Sequence, residues 1–319
     1  MTQRSSNPPM PAARDDDPVR GIEADAGGLT LSGLLALPEA SVPRAVLVAL
    51  HGGGMRAGYF HGRADPAGSL LSLAASHGYA ALALDRPGYG ASARQVPDGT
   101  GLAEQAVRVR QALSDYARRL PTGAGFFLVG HSLGGKVALS TAAGWNDGGL
   151  LGVDVSGISD RWAVEPGLLT GSGGRRSRGL HWGPLSLYPP GTFRLAQYLV
   201  APIPGKEAAE IPDWPRRYAE LACTVQVPVR FTFAEHERWW RCDAATVEAM
   251  AARLASPVVR TAHLAGAGHN ISLGRAARSY HLRVLAFLEE CLTGRETSCP
   301  APARDGGASP KAAPSGPSR

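Results

Sequence analysis

A serine hydroxyl is a poor nucleophile at neutral pH, so a chain that uses one must hold a base against it. Residues 130–135 read Gly-His-Ser-Leu-Gly-Gly, directly after the apolar run Phe126 to Val129 and before a helical stretch, Leu133 to Ala143. G-x-S-x-G between a strand and a helix is the pattern of a nucleophile elbow, a sharp turn that presents the serine at the edge of a sheet. Ser132 is therefore the candidate nucleophile. Gly130 and Gly134 relieve crowding in so tight a turn, and the helix N-terminus behind Ser132 favours developing negative charge. Upstream, His51-Gly52-Gly53-Gly54 follows the apolar run Ala45 to Leu50. Glycines let backbone N–H groups approach an oxyanion closely. Gly53 or Gly54 is expected to donate one such N–H, and Leu133 the other.

Nine histidines are available as the base. His269 stands in Ala265-Gly266-Ala267-Gly268-His269-Asn270, just past the last strand-like run, where open α/β sheets bind their ligands. His263 falls inside that run and reads as structural, and His281 falls on the final helix. His131 occupies the variable position of the elbow, and His51 reads as a brace for the glycine loop. A carboxylate should orient the base and stabilise its imidazolium. Glu237, in Ala234-Glu235-His236-Glu237, is the favoured acid, with Glu235, Asp154 and Asp160 as alternatives. The order Ser, acid, His matches the order expected for such a fold. Asp85, in Asp85-Arg86-Pro87-Gly88-Tyr89-Gly90-Ala91-Ser92, is expected to fix its own turn by bonding backbone N–H groups. Tyr89 is a pocket candidate that nothing in the sequence requires.

These residues need a scaffold, and the chain supplies a regular alternation. Strand-like runs at Thr30–Leu37, Ala45–Leu50, Ala80–Leu84, Phe126–Val129, Leu150–Val155, Val229–Phe233 and Val258–Leu264 interleave with helical stretches at Ser69–His77, Leu102–Leu120, Leu133–Ala143, Ala244–Leu254 and Arg275–Leu292. That pattern predicts an α/β fold, a mostly parallel central sheet with helices on both faces. Residues 160–222 break the rhythm with many Gly and Pro among Trp162, Trp182, Tyr188, Trp214 and Tyr218. A structureless loop of that length is improbable in a compact domain. It reads as an inserted lid, helical over Thr192–Leu199 and Trp214–Leu221, whose aromatics either line a pocket or pack on one another. The core is expected in two parts, 21–159 and 223–292. The ends, 1–20 and 293–319, hold too few large apolar groups to offset the entropy of ordering and read as disordered tails.

Composition narrows the classes further. The chain has 319 residues, 44% hydrophobic and 19% charged, as soluble enzymes do. Its net charge of +6 is scattered apart from Arg175, Arg176 and Arg178, with no aromatic-basic motif, so nucleic acid is not the expected partner. That cluster leaves an acidic substrate or carrier as a minor reading. The four cysteines, Cys223, Cys242, Cys291 and Cys299, lack metal-ligand spacing and read as reduced thiols, Cys223 as a core residue. Neither an apolar leader nor a membrane-spanning run is present, which points to the cytoplasm. No ligand cluster implies a metal or an organic cofactor.

Taken in order, His51 to Gly54, Asp85 to Ser92, Gly130 to Gly135, Glu237 and Gly268-His269 resemble the α/β-hydrolase superfamily over residues 21–292. The D-R-P-G-Y-G-x-S segment resembles its lid-carrying branches. The resemblance implies a serine esterase or thioesterase acting on a small ester or thioester, apolar or aromatic, through Ser132, His269 and Glu237. Relatives with an aspartate nucleophile open epoxides or remove halides, and Ser132 points away from both. Two departures bear on the acid: Ala234-Glu235-His236-Glu237 stands where Gly-x-x-Asp is usual, and Arg230 interrupts an apolar strand. Acyl transfer, a lyase or cyclising step on the same fold, and a non-catalytic binding module are the rival readings.

Overall fold

The computed structural model describes residues 18–169 and 179–298. Eight strands form one sheet: β1 (Arg20–Asp25), β2 (Thr30–Ala36), β3 (Val46–Leu50), β4 (Ala80–Leu84), β5 (Phe126–His131), β6 (Leu150–Ser156), β7 (Val229–His236) and β8 (Val259–Gly268). Their spatial order is β1-β2-β4-β3-β5-β6-β7-β8. β1 and β2 pair antiparallel, as do β2 and β4, and every pair from β4 to β8 is parallel. Every residue of β3 and of β4 is buried, which explains why these strands are unbroken apolar runs: both faces of the sheet are covered.

The side-chain period of two divides the core between those faces. Val46, Val48 and Leu50 pack with Leu113 and Tyr116 of helix α2 (Leu102–Arg119) and Val137 and Leu139 of α3 (Leu133–Ala143). Helix α7 (Ala244–Ala251) joins β7 to β8, and the final helix is α8 (Ala277–Ser298). Leu47 and Ala49 face the other way, toward Leu70 and Leu71 of α1 (Leu70–Ser76) and toward α8 through Tyr280, Val284 and Leu288. α8 runs past the boundary at Leu292 drawn from composition. At the other end Val19 is buried and β1 begins at Arg20, so the fold starts slightly before residue 21. The strand order reverses beside β3: the chain steps to β4 on one side and later to β5 on the other. The loops after β3 and β5 therefore diverge at the carboxyl edge, leaving a crevice.

Between β6 and β7 lie short helices α4 (Thr192–Ala196), α5 (Gly205–Glu210) and α6 (Trp214–Leu221). α4 stops short of the Leu199 expected, and α5 had no periodic signature. The base of this segment is stitched to the chain that follows β7. Trp162 and Trp240 form an isolated β-bridge with their rings stacked 3.7 Å apart, and Ala163 N–H donates to Trp239 O at 2.8 Å. Trp162, Trp214 and Trp240 also surround the buried Lys136 ammonium, which lies 4.9, 5.3 and 5.3 Å from the three ring centres. Trp214 and Tyr218 join the α2–α3 face of the core, whereas Trp182 packs edge-on against Tyr188 and Phe193. Trp182 and Tyr188 thus pack on one another as one expectation had it, whereas Trp214 and Tyr218 pack on the core of the sheet, which neither expectation held.

Arg230, the charge inside β7, has its partner on the neighbouring strand: its Nε donates to Asp154 Oδ2 at 2.5 Å, and Tyr280 Oη donates to Asp154 Oδ1 at 2.7 Å. Cys223 is exposed and not a core residue, because the turn after α6 points it outward. Arg175, Arg176, Arg178 and Cys299 lie outside the described residues, as do most of the two ends. Among the described residues, no helix is long and apolar enough to cross a membrane.

Candidate active site

Ser132 sits between β5 and α3 with φ 51° and ψ −121°, the one positive φ outside glycine among the described residues. Such a conformation costs about 1–3 kcal/mol and persists only when its surroundings dictate it. Here Ser132 N–H donates to Ser156 O at 2.8 Å, and Ser132 O accepts from Gly135 N–H at 2.8 Å. A Cβ on Gly134 would lie 2.1 Å from Leu50 O, and one on Gly130 would lie 2.6 Å from Gly135 Cα. Backbone closes on backbone at both places, so the elbow accepts nothing larger than glycine there.

His269 follows β8 and is buried, with Nε2 3.2 Å from Ser132 Oγ. Its Nδ1 lies 2.7 Å from Glu237 Oε2, at the end of β7. The carboxylate fixes the tautomer: Nδ1–H donates to Glu237, which leaves Nε2 to accept the Ser132 proton. Glu237 Oε1 accepts the N–H groups of Arg238 at 3.0 Å and Trp239 at 2.9 Å. Burial alone would push this carboxyl up. The charge and hydrogen bond of His269, with the two N–H donors, outweigh burial and hold it below the ordinary carboxylate range. The structure thus brings Ser132, His269 and Glu237 into one hydrogen-bonded line.

The alternative acids are occupied elsewhere. Glu235 is exposed and accepts Gly266 N–H at 2.7 Å, and Asp154 is bound by Arg230 and Tyr280. Asp160 is buried with its carboxyl raised by desolvation, and no hydrogen bond joins it to His269. His263 is exposed on β8, its ring 5.6 Å from that of Phe233. His281 is buried between Ser272 Oγ at 2.9 Å and Gly68 O at 2.6 Å.

Leu133 is the first residue of α3, so its N–H belongs to the helix-terminal set without an internal partner. The His51–Gly54 loop lies against it: a Cβ on Gly53 would sit 2.4 Å from Leu133 Cδ1. Gly54 corrects the expectation that either glycine could serve as donor, because its N–H is already bonded to Tyr89 Oη at 3.1 Å. His51 braces the loop as expected, with Nδ1 2.8 Å from Gly52 O and Nε2 accepting Arg86 N–H at 3.1 Å. Asp85 departs from expectation: its carboxylate fixes the neighbouring loop, through Ala57 N–H at 2.8 Å, and Ser32 Oγ at 2.7 Å.

Two further imidazoles surround His269, with ring centres 4.9 Å away for His131 and 6.1 Å for His181. Burial, then the charge of His269, holds His131 well below the ordinary histidine range and His181 at about 4. Both stay neutral at pH 7, so neither opposes a positive charge on His269. His181 had no sequence signal, lying in the irregular insertion. A cavity of about 240 Å³ opens over Ser132 and His269, walled by Met55, Leu169, His181, Trp182, Val200, Ala201, Ile203 and Asn270. A larger hollow of about 940 Å³ lies at the amino ends of β6, β7 and β8, beside Leu150, Pro228 and Val258, and touches none of these groups. Among the described residues, no three His, Cys, Asp or Glu side chains converge as a metal site would require.

The strand order, the strained serine and its neighbours define a class that sequence comparison also identifies. The pattern of the alpha/beta hydrolase family matches residues 46–280, and the chain belongs to that family. No functionally curated protein matches it in sequence. Solved structures share its fold at low identity. A thermostable carboxyl esterase from Bacillus coagulans superposes with a TM-score of 0.63 at 16% identity, covering 86% of this chain and 99% of its own. A monoacylglycerol lipase from Paleococcus ferrophilus gives 0.58 at 20%, covering 86% and 99%. The proline iminopeptidase of Mycobacterium smegmatis gives 0.61 at 15%, covering 86% and 100%.

Proposed function

We propose that this protein is a serine hydrolase that cleaves a carboxylic ester or thioester through an acyl-enzyme intermediate. The observation that carries the reading is the buried line from Glu237 Oε2 through His269 to Ser132 Oγ, with spacings of 2.7 and 3.2 Å. His269 Nε2 takes the Ser132 proton as Oγ attacks the carbonyl carbon. Glu237 stabilises the imidazolium, and the N–H groups of Leu133 and Gly53 receive the oxyanion. Collapse breaks the bond to the alkoxide or thiolate, which leaves with the proton from His269. Water then attacks the acyl carbon, gives its proton to His269, and the acid departs as Ser132 regains its hydrogen.

The segment between β6 and β7 acts as the lid, since Leu169, His181, Trp182, Val200 and Ile203 supply much of the cavity wall. Those side chains favour an apolar or aromatic acyl group of modest size. Structural neighbours that are esterases and a monoacylglycerol lipase support ester chemistry. The test is fluorophosphonate labelling located by mass spectrometry, alongside turnover of a p-nitrophenyl ester series. Labelling at Ser132, with turnover abolished in Ser132→Ala and His269→Ala, is the expected result. A folded protein that takes no label and turns over no ester would refute the proposal.

A further inference from the structure

The Gly53 N–H lies in the Gly52–Gly53 peptide plane, and that plane and the next, Gly53–Gly54, are each pinned by a side chain, the first from within the loop and the second from outside it. A peptide is planar, so fixing one of its polar groups fixes the other. The Gly52–Gly53 plane is held at its carbonyl by His51 Nδ1 at 2.8 Å. The Gly53–Gly54 plane is held at its N–H by Tyr89 Oη at 3.1 Å. Tyr89 Oη in turn donates to Glu207 Oε2 at 2.9 Å, and Glu207 belongs to α5, within the insertion. Because the proton goes to Glu207, the hydroxyl presents a lone pair to Gly54. The carboxylate polarises it and makes it a better acceptor.

Arg86 closes the ring between the two planes. It is fully buried, with Nη1 2.8 Å from Glu207 Oε1, Nη1 2.7 Å from Gln105 Oε1 and Nε 2.8 Å from His51 O. Its own N–H holds His51 Nε2, which leaves His51 Nδ1 as the protonated nitrogen that grips Gly52 O. Burial, then the charge of Arg86, keeps that ring neutral. The insertion also reaches the loop directly, through Ala201 N–H to Gly54 O at 2.9 Å.

We infer that Tyr89 and Glu207 are positioning residues for the oxyanion loop, so that the insertion, besides walling the cavity, sets the geometry of transition-state stabilisation. The inference rests on the serine-hydrolase reading. A positioning residue of this kind acts on charge that develops only in the transition state, which a residue that merely holds the fold together does not do.

Tyr89→Phe removes one oxygen and leaves the ring, which packs edge-on against His51 at 4.7 Å. Deleting an oxyanion donor outright costs about 10²–10³ in kcat, and a loosened donor should cost less, about 10- to 100-fold. The expected signature is that loss in kcat with KM within about threefold. Affinity for an alkyl boronic acid, whose serine adduct is tetrahedral and anionic, should fall by the same factor. Glu207→Gln, which keeps Tyr89 but removes the charge behind it, should shift both readings the same way and less. An active, probe-labelled wild type whose two variants keep kcat and boronate affinity within twofold would overturn the inference while leaving the hydrolase reading intact. So would variants that lose unfolding midpoint alone. A wild type that takes no probe and turns over no ester would overturn both.

Discussion

Replacing Glu237 by Gln tests the assignment of the acid with little change of shape. The amide oxygen can still accept the N–H groups of Arg238 and Trp239, so the loop after β7 keeps its anchors. What disappears is a negative charge beside a ring that becomes positive during the reaction. With the charge centres of carboxylate and imidazolium about 4 Å apart and an effective dielectric near 20, the lost attraction is about 4 kcal/mol. At 1.36 kcal/mol per decade, that is roughly a 10³-fold fall in kcat. The amide can also donate to Nδ1 and favour the wrong tautomer, which carries the expected loss toward about 10⁴. KM should change little, because the lost attraction acts on charge that His269 gains in the transition state. Steady-state kinetics on p-nitrophenyl esters would measure the loss, with urea unfolding to show that the variant is folded. A loss below tenfold, or an equal loss in Glu235→Gln or Asp154→Asn, would refute the reasoning.

Two other perturbations follow from buried charges away from the site. Asp154→Ala leaves Arg230 buried without its carboxylate and should cost about 3–5 kcal/mol of stability by urea unfolding. Its kcat at a permissive temperature should stay within a few-fold of wild type, which separates this carboxylate from the acid role. Lys136 is drawn by burial from 10.5 down to about 7, so between those values the unfolded chain binds a proton that the folded chain refuses. Wild-type stability should therefore rise with pH across that window, while Lys136→Met removes this contribution and flattens the curve. Unfolding midpoints measured from about pH 7 to 10 would show it, and parallel curves for the two proteins would count against it.

The sheet and the elbow that carries the candidate nucleophile were legible because their signals are local. Ser132 is flanked by glycines that a backbone clash demands, and β3 and β4 are apolar throughout because both of their faces are covered. His269 stood out as the candidate base from its place after the last strand. The candidate acid was harder: Glu235 and Glu237 differ by two residues, and a bulge in the β7–β8 pairing between Ala234 and His236 interrupts the simple alternation there. Arg230 reads as an interruption of its strand because its partner, Asp154, is 76 residues away. Glu207 and His181 were not legible as site residues, and Tyr89 only as a pocket candidate, not as a partner of the glycine loop. Their roles depend on where an insertion with weak periodicity folds back, and no spacing along the chain encodes that. Gly54 illustrates the same limit, since its occupied N–H depends on a tyrosine 35 residues further on.

The Trp162–Trp240 stitch has a consequence for protein engineering. It ties the point where the chain leaves the sheet to the point just past Glu237, so the start of the insertion is anchored beside the candidate acid. A graft that exchanges the intervening segment for that of another enzyme has natural seams inside this stitch, at residues 161–163, and before α6, whose Trp214 and Tyr218 belong to the main core. Glu207 falls between those seams. A chimera that carries a new wall but no carboxylate facing Arg86 would inherit a buried, unmatched cation along with its new specificity. Designs that transplant the segment should therefore carry Glu207, or remove Arg86 and Tyr89 with it, and treat the three as a single heritable unit.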